Sequence, residues 1–379
     1  GLVDRDKTLT FTFDGKSYKG LAGDTLASAL LANGVHLVGR SFKYHRPRGI
    51  VSAGAEEPNA LMQVGDDPRT EPNLKATQVE LVDGLKAQPQ NAWPSLDFDV
   101  GAVNSLASRF LPSGFYYKTF MWPASLWMTY EHVIRNAAGL GKAPKDRDPD
   151  RYEKMHANAD VLVVGGGPAG LSAALAAGKT GARVILMEET ADWGGALLSE
   201  SDSTVDGKEP ARWTAETVAE LDAMPDVTLV KRCTVTGYYD HNYLTALERV
   251  SDHLGAAPEH TPRQRLWKIR AKRVVLATGA LERPLVFSDN DRPGVMLSSA
   301  VRTYINRYGV LPGRKAVIFT NNDDAYRTAL ITNQPCVCHR FQRIWYAINH
   351  LFSPCPDARG QTCREGIRKH LIAIRNDNH

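Results

Sequence analysis

The sequence predicts two folded domains in tandem, an α+β domain of β-grasp type and then an α/β domain, within 379 residues. Two alternating segments, a short helical segment and a long loop near the amino terminus indicate the first domain. A continuous apolar segment that runs into glycines and then into an alanine-rich helix indicates the second. The composition changes after Leu330, and we therefore expect the α/β domain to be incomplete at its carboxy-terminal end.

The β-grasp prediction covers residues 1–100. Segment 8–13, TLTFTF, alternates polar and apolar residues, and Asp14-Gly15 supplies a hairpin turn before the returning segment KSYKGLAG. From Asp24, the segment DTLASALLANG starts with an N-cap residue and ends in glycine, which predicts one short helix. NALMQV and QVELVDGLKA are predicted to form further short strands.

Two other segments have an unusual composition. Residues 101–158 begin with a stretch that is rich in Phe, Tyr and Trp and sparse in Lys and Arg, which favours a packing connector over a membrane-surface helix. Residues 331–379 bring prolines and four cysteines without a clear period, where another strand would be expected. We predict that this last segment is an atypical, disordered tail.

The α/β domain is predicted over residues 159–330. DVLVVGGGPAG, LSAALAAGKTG and ARVILMEE form a strand, helix and strand, the order of a βαβ unit. Gly165, Gly167 and Gly170 satisfy the G-x-G-x-x-G pattern in that setting, which predicts a tight turn, close approach of a pyrophosphate, and close packing of helix on strand. The amino terminus of the helix adds N–H groups and a partial positive charge.

An acidic residue at the end of the second strand completes the predicted dinucleotide site. Glu188 lies 23 residues after Gly165 and is expected to accept hydrogen bonds from the adenosine ribose, with Glu189 as the alternative if the strand ends one residue later. A carboxylate there favours NAD or FAD over NADP. The predicted cofactor-binding residues are Gly165, Gly166, Gly167, Pro168, Ala169, Gly170, Glu188, Gly194, Gly195, Ala277, Thr278 and Gly279.

The segment GRKAVIFTNNDDAYRTAL predicts a strand, a turn and the start of a helix, as the beginning of a second βαβ unit from residue 313. Asn321 and Asn322 in its turn are candidate nucleotide contacts. No catalytic constellation is found in the sequence, so catalytic residues remain unknown. Cys233 lies in a predicted strand and is interpreted as a small buried apolar residue.

The segment from Gly39 to Met62 interleaves basic residues with aromatic rings, as a nucleic-acid patch would. The net charge of +4 and the acidic pair Glu56-Glu57 argue against that, and we predict no nucleic-acid partner. Arg46 and Arg48 are expected to pair with the two glutamates, with phosphate binding as the alternative.

Ser52, Glu57 and Ala60 fall at the C-x₄-C-x₂-C spacing of a plant-type ferredoxin, so that a ferredoxin-like domain without its cluster is predicted.

Other site classes are not favoured. Cysteines and histidines near the carboxy terminus have spacings that fit zinc poorly, and we predict no metal site; they are Cys336, Cys338, His339, His350, Cys355, Cys363 and His370. No stretch approaches the ~20 apolar residues of a membrane span, and the first residues contain no signal-peptide core. A cytoplasmic protein without a membrane partner is therefore expected.

Four segments carry a family resemblance. GRSFKYHRPRGIVSAGAEEPNALM, VLVVGGGPAGLSAALAAGKTGARVILMEE, VVLATGALERPLVFSDNDRPGVML and VIFTNNDDAYRTA occur in this order over about residues 8–330. Together they resemble the two-dinucleotide-binding-domain oxidoreductases and, among these, the alpha subunits of heterotetrameric sarcosine oxidases. The resemblance implies a ferredoxin-like β-grasp domain before a Rossmann-like FAD/NAD(P)-binding domain that holds NAD.

The resemblance also implies an activity and partners. In such a complex, with beta, gamma and delta subunits, FAD and FMN take part in the oxidation of sarcosine to glycine, with formaldehyde or methylene-tetrahydrofolate and hydrogen peroxide as products. The change after Leu330 leads us to expect a truncated or out-of-frame carboxy terminus. Two alternatives stay open: a stand-alone FAD-dependent NAD(P)H or amine/opine dehydrogenase subunit, and a non-catalytic fragment.

Overall fold

The computed structural model describes residues 2–106, 108, 114, 122–201, 203–255, 257–320, 324–332 and 371–375. The chain divides into two compact units, one formed by residues 1–144 together with 282–379 and the other by residues 145–281. The first unit contains a β-grasp sheet and the second a mainly parallel sheet with helices, so the predicted combination of α+β and α/β folds is confirmed.

The first unit begins with a five-stranded sheet of order β2-β1-β7-β5-β6. Strand β1 pairs antiparallel with β2 and parallel with β7, the mixed pairing of a β-grasp domain. Helix α1 (Leu26–Ala32) follows the first hairpin, and α2 (Trp127–Ala138) lies further along the chain. The strands are β1 (Asp4–Phe13), β2 (Lys16–Ala22), β3 (Gly39–Arg40), β4 (Pro47–Arg48), β5 (Leu61–Val64), β6 (Glu71–Lys75) and β7 (Leu85–Pro89).

The first hairpin confirms the sequence prediction. Asp14 and Gly15 have φ values of 48° and 75°, so both turn residues take the left-handed conformation that a two-residue hairpin favours. The alternation of β1 buries Phe11 and Phe13 in the same apolar core as α1. The N-cap of α1 is Thr25, one residue later than predicted, because its side chain and Ser28 form a reciprocal capping box.

The second unit contains a six-stranded sheet of order β10-β9-β8-β13-β12-β11. The first four strands run parallel, and β12 and β11 continue the sheet antiparallel. Helices α3 (Pro168–Gly178) and α4 (Pro210–Asp222) contribute to the apolar core that contains Leu171 and Leu221. The strands are β8 (Tyr152–Val164), β9 (Val184–Met187), β10 (Val227–Val230), β11 (Cys233–Tyr239), β12 (Tyr243–Arg249) and β13 (Gln264–Leu276).

Residues 282–332 belong to the first unit, and not to the unit that contains the predicted dinucleotide site. The sequence assigned residues 282–330 to the α/β domain, whereas Tyr304 and Val310 share the core of Phe11 in the first unit. Their elements are β14 (Val295–Met296), α5 (Ser298–Asn306), β15 (Lys315–Phe319) and α6 (Asp324–Thr332). Strand β16 (Leu371–Arg375), within the predicted tail, pairs antiparallel with both β14 and β15.

Several sequence predictions fall outside the described residues. They include most of the aromatic segment of the connector, the candidate contacts Asn321 and Asn322, and the cysteines and histidines between residues 333 and 370. Within the described part of the chain, no helix is long and apolar enough to cross a membrane.

Candidate dinucleotide site

The turn between β8 and α3 needs glycine at its first position. Gly165 has a φ of 105°, and its N–H donates to the carbonyl of Met187 at 2.8 Å. A Cβ atom at Gly165 would lie 2.3 Å from the carbonyl oxygen of Ala277. Both the backbone conformation and the close approach of the neighbouring strand end therefore exclude a side chain there.

The other two glycines of the pattern have different surroundings. A Cβ atom at Gly170 would lie 1.8 Å from the carbonyl oxygen of Gly165, which shows that the helix lies directly on the turn. A Cβ atom at Gly167 would come no closer than 3.9 Å to its nearest neighbour, so this face of the loop is open. Gly167 is also the N-cap of α3 and has no side chain to cap the helix, which leaves N–H groups of the first turn available to an anion.

Glu188 lies beside the turn, as the spacing predicted. Its side chain is buried, and Oε2 accepts a hydrogen bond from the N–H of Gly166 at 2.6 Å. Oε1 accepts hydrogen bonds from the N–H and hydroxyl of Thr190 at 2.8 and 2.9 Å. Strand β9 ends at Met187, so Glu188 follows the strand directly, and its carboxylate contacts the glycine loop.

The later predicted residues lie against the same loop. The N–H of Gly194 donates to the carbonyl of Gly166 at 2.9 Å, and a Cβ atom at Gly195 would lie 2.9 Å from the Cα atom of Gly167. Ala277 continues from β13 and donates its N–H to Val164 at 2.8 Å. Thr278 and Gly279 follow as exposed residues, as Ala169 is at the start of α3. The structure therefore brings the predicted residues together around one turn, and their role in cofactor binding stays a prediction.

Two further residues of the loop, Trp193 and Thr190, are not among the predicted cofactor-binding residues. The indole of Trp193 lies against Gly166, since a Cβ atom on that glycine would be 2.4 Å from Cε3 of the ring. Thr190 holds the Glu188 carboxylate from the other side. In the sequence, only their positions shortly after Glu188 place Trp193 and Thr190 near the site. The folded loop is needed to show that the chain turns back toward Gly166 and brings their side chains there.

In the first unit, the loop of residues 51–60, which has the ligand spacing of a ferredoxin, surrounds one carboxylate. Glu57 is almost fully buried and accepts hydrogen bonds from the N–H groups of Val51 and Ser52 at 2.9 and 2.7 Å, and of Asn59 and Ala60 at 2.8 and 3.2 Å. Burial raises the pKa of the Glu57 carboxyl, and these N–H donors act in the opposite direction.

The predicted pairing of Arg46 and Arg48 with the two glutamates is wrong. Arg46 donates to Asp289 and Asp291 at 2.8 and 2.9 Å, and Arg48 forms an ion pair with Asp291. These aspartates belong to the later part of the first unit. They lie 243 and 245 positions after Arg46, so local sequence could not identify them as its partners.

Cys233 is buried as predicted, and burial raises the pKa of its thiol to about 12. No group of three or more His, Cys, Asp or Glu side chains suited to a metal occurs in the described part of the chain.

Two protein families match separate parts of the chain. Residues 6–92 match the 2Fe-2S iron-sulfur cluster binding domain, and residues 160–247 match the FAD dependent oxidoreductase family. The alpha subunit of sarcosine oxidase from Rhizobium meliloti is 60% identical over 330 residues, which cover 87% of this chain and 33% of the relative. The corresponding protein of Corynebacterium sp. strain U-96 is 42% identical over 328 residues, 86% of this chain and 29% of the relative.

Over most of its length, the chain is therefore similar to the alpha subunits of sarcosine oxidases. It spans about a third of the length of the alpha subunits it matches. An opine oxidase subunit of Agrobacterium tumefaciens is more distant, with 29% identity over 42% of this chain and 31% of the relative. Among solved structures, the L-proline dehydrogenase of P. horikoshii matches with a TM-score of 0.53 and 24% identity over 83% of this chain and 49% of that one, a likeness of fold.

A 2Fe-2S cluster, which the family matched by residues 6–92 binds, does not fit this chain. Residues 6–92 contain no cysteine, while Ser52, Glu57 and Ala60 stand at the ligand spacing. The N–H groups of this loop already donate to the buried Glu57 carboxylate. An adenine dinucleotide does fit the second unit, because the face of the loop above Gly167 is open and a carboxylate lies beside it.

Proposed function

We propose that this chain is the dinucleotide-binding part of the alpha subunit of a sarcosine oxidase and that its glycine loop holds NAD. The observation that carries the proposal is the pairing of an open Gly167 with a buried Glu188 carboxylate beside the same turn. The open face admits the pyrophosphate, and the carboxylate accepts hydrogen bonds from the ribose hydroxyls. The 60% identity to an alpha subunit supports the assignment to this class of enzyme.

The chain's own residues would bind and orient the cofactor. The N–H groups at the start of α3 and the partial positive charge of the helix would hold the pyrophosphate. The contacts from Thr190 and Gly166 fix the Glu188 carboxylate, so little side-chain freedom is lost when a ribose binds. When bound, such a cofactor supplies two-electron redox chemistry.

In the assembled enzyme, we propose that beta, gamma and delta subunits and the flavins FAD and FMN complete the reaction. The substrate would be sarcosine, oxidised to glycine with formaldehyde or methylene-tetrahydrofolate and hydrogen peroxide as the other products. The similar proteins of Rhizobium meliloti and Corynebacterium are alpha subunits, which supports the existence of partner subunits. Within this complex, this chain would serve nucleotide binding and assembly.

Isothermal titration of the purified chain with NAD tests the proposal. We expect saturable binding by the wild type and a loss of at least about ten-fold in affinity with Gly167→Asp, because the new carboxylate would repel the phosphates. The variant is expected to fold, since a Cβ atom there meets nothing closer than 3.9 Å. Ala176→Asp, which adds the same charge to an exposed position further along α3, is the matched control. Absence of NAD binding by the wild type, or equal binding by Gly167→Asp, would contradict the proposal.

Binding of FAD in the same loop is the second candidate. The match of residues 160–247 to the FAD dependent oxidoreductase family favours it, and the pyrophosphate and ribose contacts would be the same. Under this alternative the purified chain would carry a flavin absorption band, or titration with FAD would give the saturable signal that NAD does not.

A further inference from the structure

Trp193 packs against the apolar core of the second unit, and its ring also lies against the glycine loop. A Cβ atom on Gly166 would lie 2.4 and 2.8 Å from Cε3 and Cζ3 of the indole, and 3.0 Å from Cβ of Glu188. The six-membered part of the ring therefore contacts the glycine loop beside the residue predicted to bind the ribose. The ring is only partly buried, so part of its surface remains accessible.

We propose that the indole of Trp193 forms one wall of the adenosine-binding site and makes the site selective for the ADP portion of its ligand. This inference rests on the proposed dinucleotide function. In a nucleotide, the base is attached directly to the ribose, so a ribose held by Glu188 brings the base within reach of a neighbouring aromatic ring. Stacking of a base on an aromatic side chain strengthens binding and requires only a free face of the ring.

The connection between Trp193 and the turn fixes the ring in this place. Gly194 follows Trp193 with a φ of 125°, and its N–H donates to the carbonyl of Gly166 at 2.9 Å. The backbone next to the ring is thus tied to the glycine loop, and the indole is held beside the carboxylate before any ligand binds. Such a preformed wall favours a planar base over a ligand that offers phosphate alone.

The binding of ADP and of inorganic pyrophosphate to the full chain, measured by isothermal titration, separates these contributions. Trp193→Leu keeps an apolar side chain and removes the aromatic face, and we expect ADP to bind roughly ten- to hundred-fold more weakly. Binding of pyrophosphate should stay unchanged. Trp193→Phe should restore most of the ADP affinity. Trp213→Phe, at a buried core position, is the control for a general effect of removing an indole.

A second measurement uses the fluorescence of the same ring. Addition of ADP should quench the wild-type emission by more than it quenches that of Trp193→Phe, because stacking on the indole is lost in the variant. Equal ADP affinity in wild type and Trp193→Leu would overturn the role of Trp193 and leave the dinucleotide site intact. Absence of ADP and NAD binding by the wild type would instead overturn the site itself. Loss of pyrophosphate binding in Trp193→Leu would show that the ring only supports the loop, which also overturns the proposal.

Discussion

At the scale of single residues, the carboxylate of Glu57 holds its loop together by accepting hydrogen bonds from the backbone. In a ferredoxin the corresponding loop surrounds a cluster held by cysteine thiolates. Here, a buried carboxylate collects four backbone N–H groups from residues on both sides of it. A charged acceptor forms stronger hydrogen bonds than a neutral one, which offsets the cost of burying it.

Replacement of this carboxylate by an amide should destabilise the first unit. In Glu57→Gln, an NH₂ group would face two of the N–H donors, and we expect the free energy of unfolding to fall by about 3 kcal/mol. Urea denaturation measures this change. The neighbouring Glu56→Gln is the matched control, because the Glu56 carboxylate accepts none of these four hydrogen bonds. An equal, small effect of both substitutions would show that the loop does not depend on Glu57.

At the scale of elements, the contact between β8 and α3 depends on the absence of a side chain. A Cβ atom on Gly170 would lie only 1.8 Å from the carbonyl oxygen of Gly165, so a side chain at this position would clash with the turn. Helix α3 can therefore start directly above the strand end, where its amino terminus faces the open side of the loop. The absence of a side chain at Gly170 thus permits the tight turn and also leaves the first N–H groups of α3 facing the open side of the loop.

Gly170→Ala tests this contact. Alanine favours a helix over glycine by about 1 kcal/mol, but here the methyl group would force the helix away from the turn. We expect a net loss of about 2–4 kcal/mol in the free energy of unfolding of the second unit, measured by urea denaturation. Gly167→Ala, at the open position of the same loop, should cost no more than about 1 kcal/mol. A stabilised Gly170→Ala variant would contradict the close packing.

At the scale of the whole molecule, the first unit is assembled from two distant parts of the sequence. Helix α5 supplies Tyr304, which is fully buried and donates its hydroxyl to the carbonyl of Ser52 at 2.8 Å. This hydrogen bond joins residues 252 positions apart. The ion pairs of Arg46 and Arg48 with Asp291 join the same two parts.

Tyr304→Phe should weaken this assembly by about 1–2 kcal/mol, because it leaves the buried carbonyl of Ser52 without this donor. Thermal unfolding followed by circular dichroism measures the loss as a lower midpoint. Tyr18→Phe removes a hydroxyl that donates no hydrogen bond in the described part of the chain, and its midpoint should match that of the wild type. A wild-type midpoint for Tyr304→Phe would show that the long-range hydrogen bond adds no stability.

The sequence by itself determined the local elements and the components of the nucleotide loop. Alternation and turn residues predict the first hairpin, and the glycine spacing with Glu188 predicts the turn, because both depend on backbone conformations that neighbouring residues dictate. The tertiary structure decided the partners over long distances. Arg48 pairs with Asp291 and not with Glu57, and Trp193 lies on Gly166, because chain folding brings these groups together from positions that no local pattern relates. Only the tertiary structure shows that residues 282–332 share a core with the amino-terminal strands. The pattern of apolar residues on a helix indicates that one face is buried, but it does not indicate which sheet that face covers.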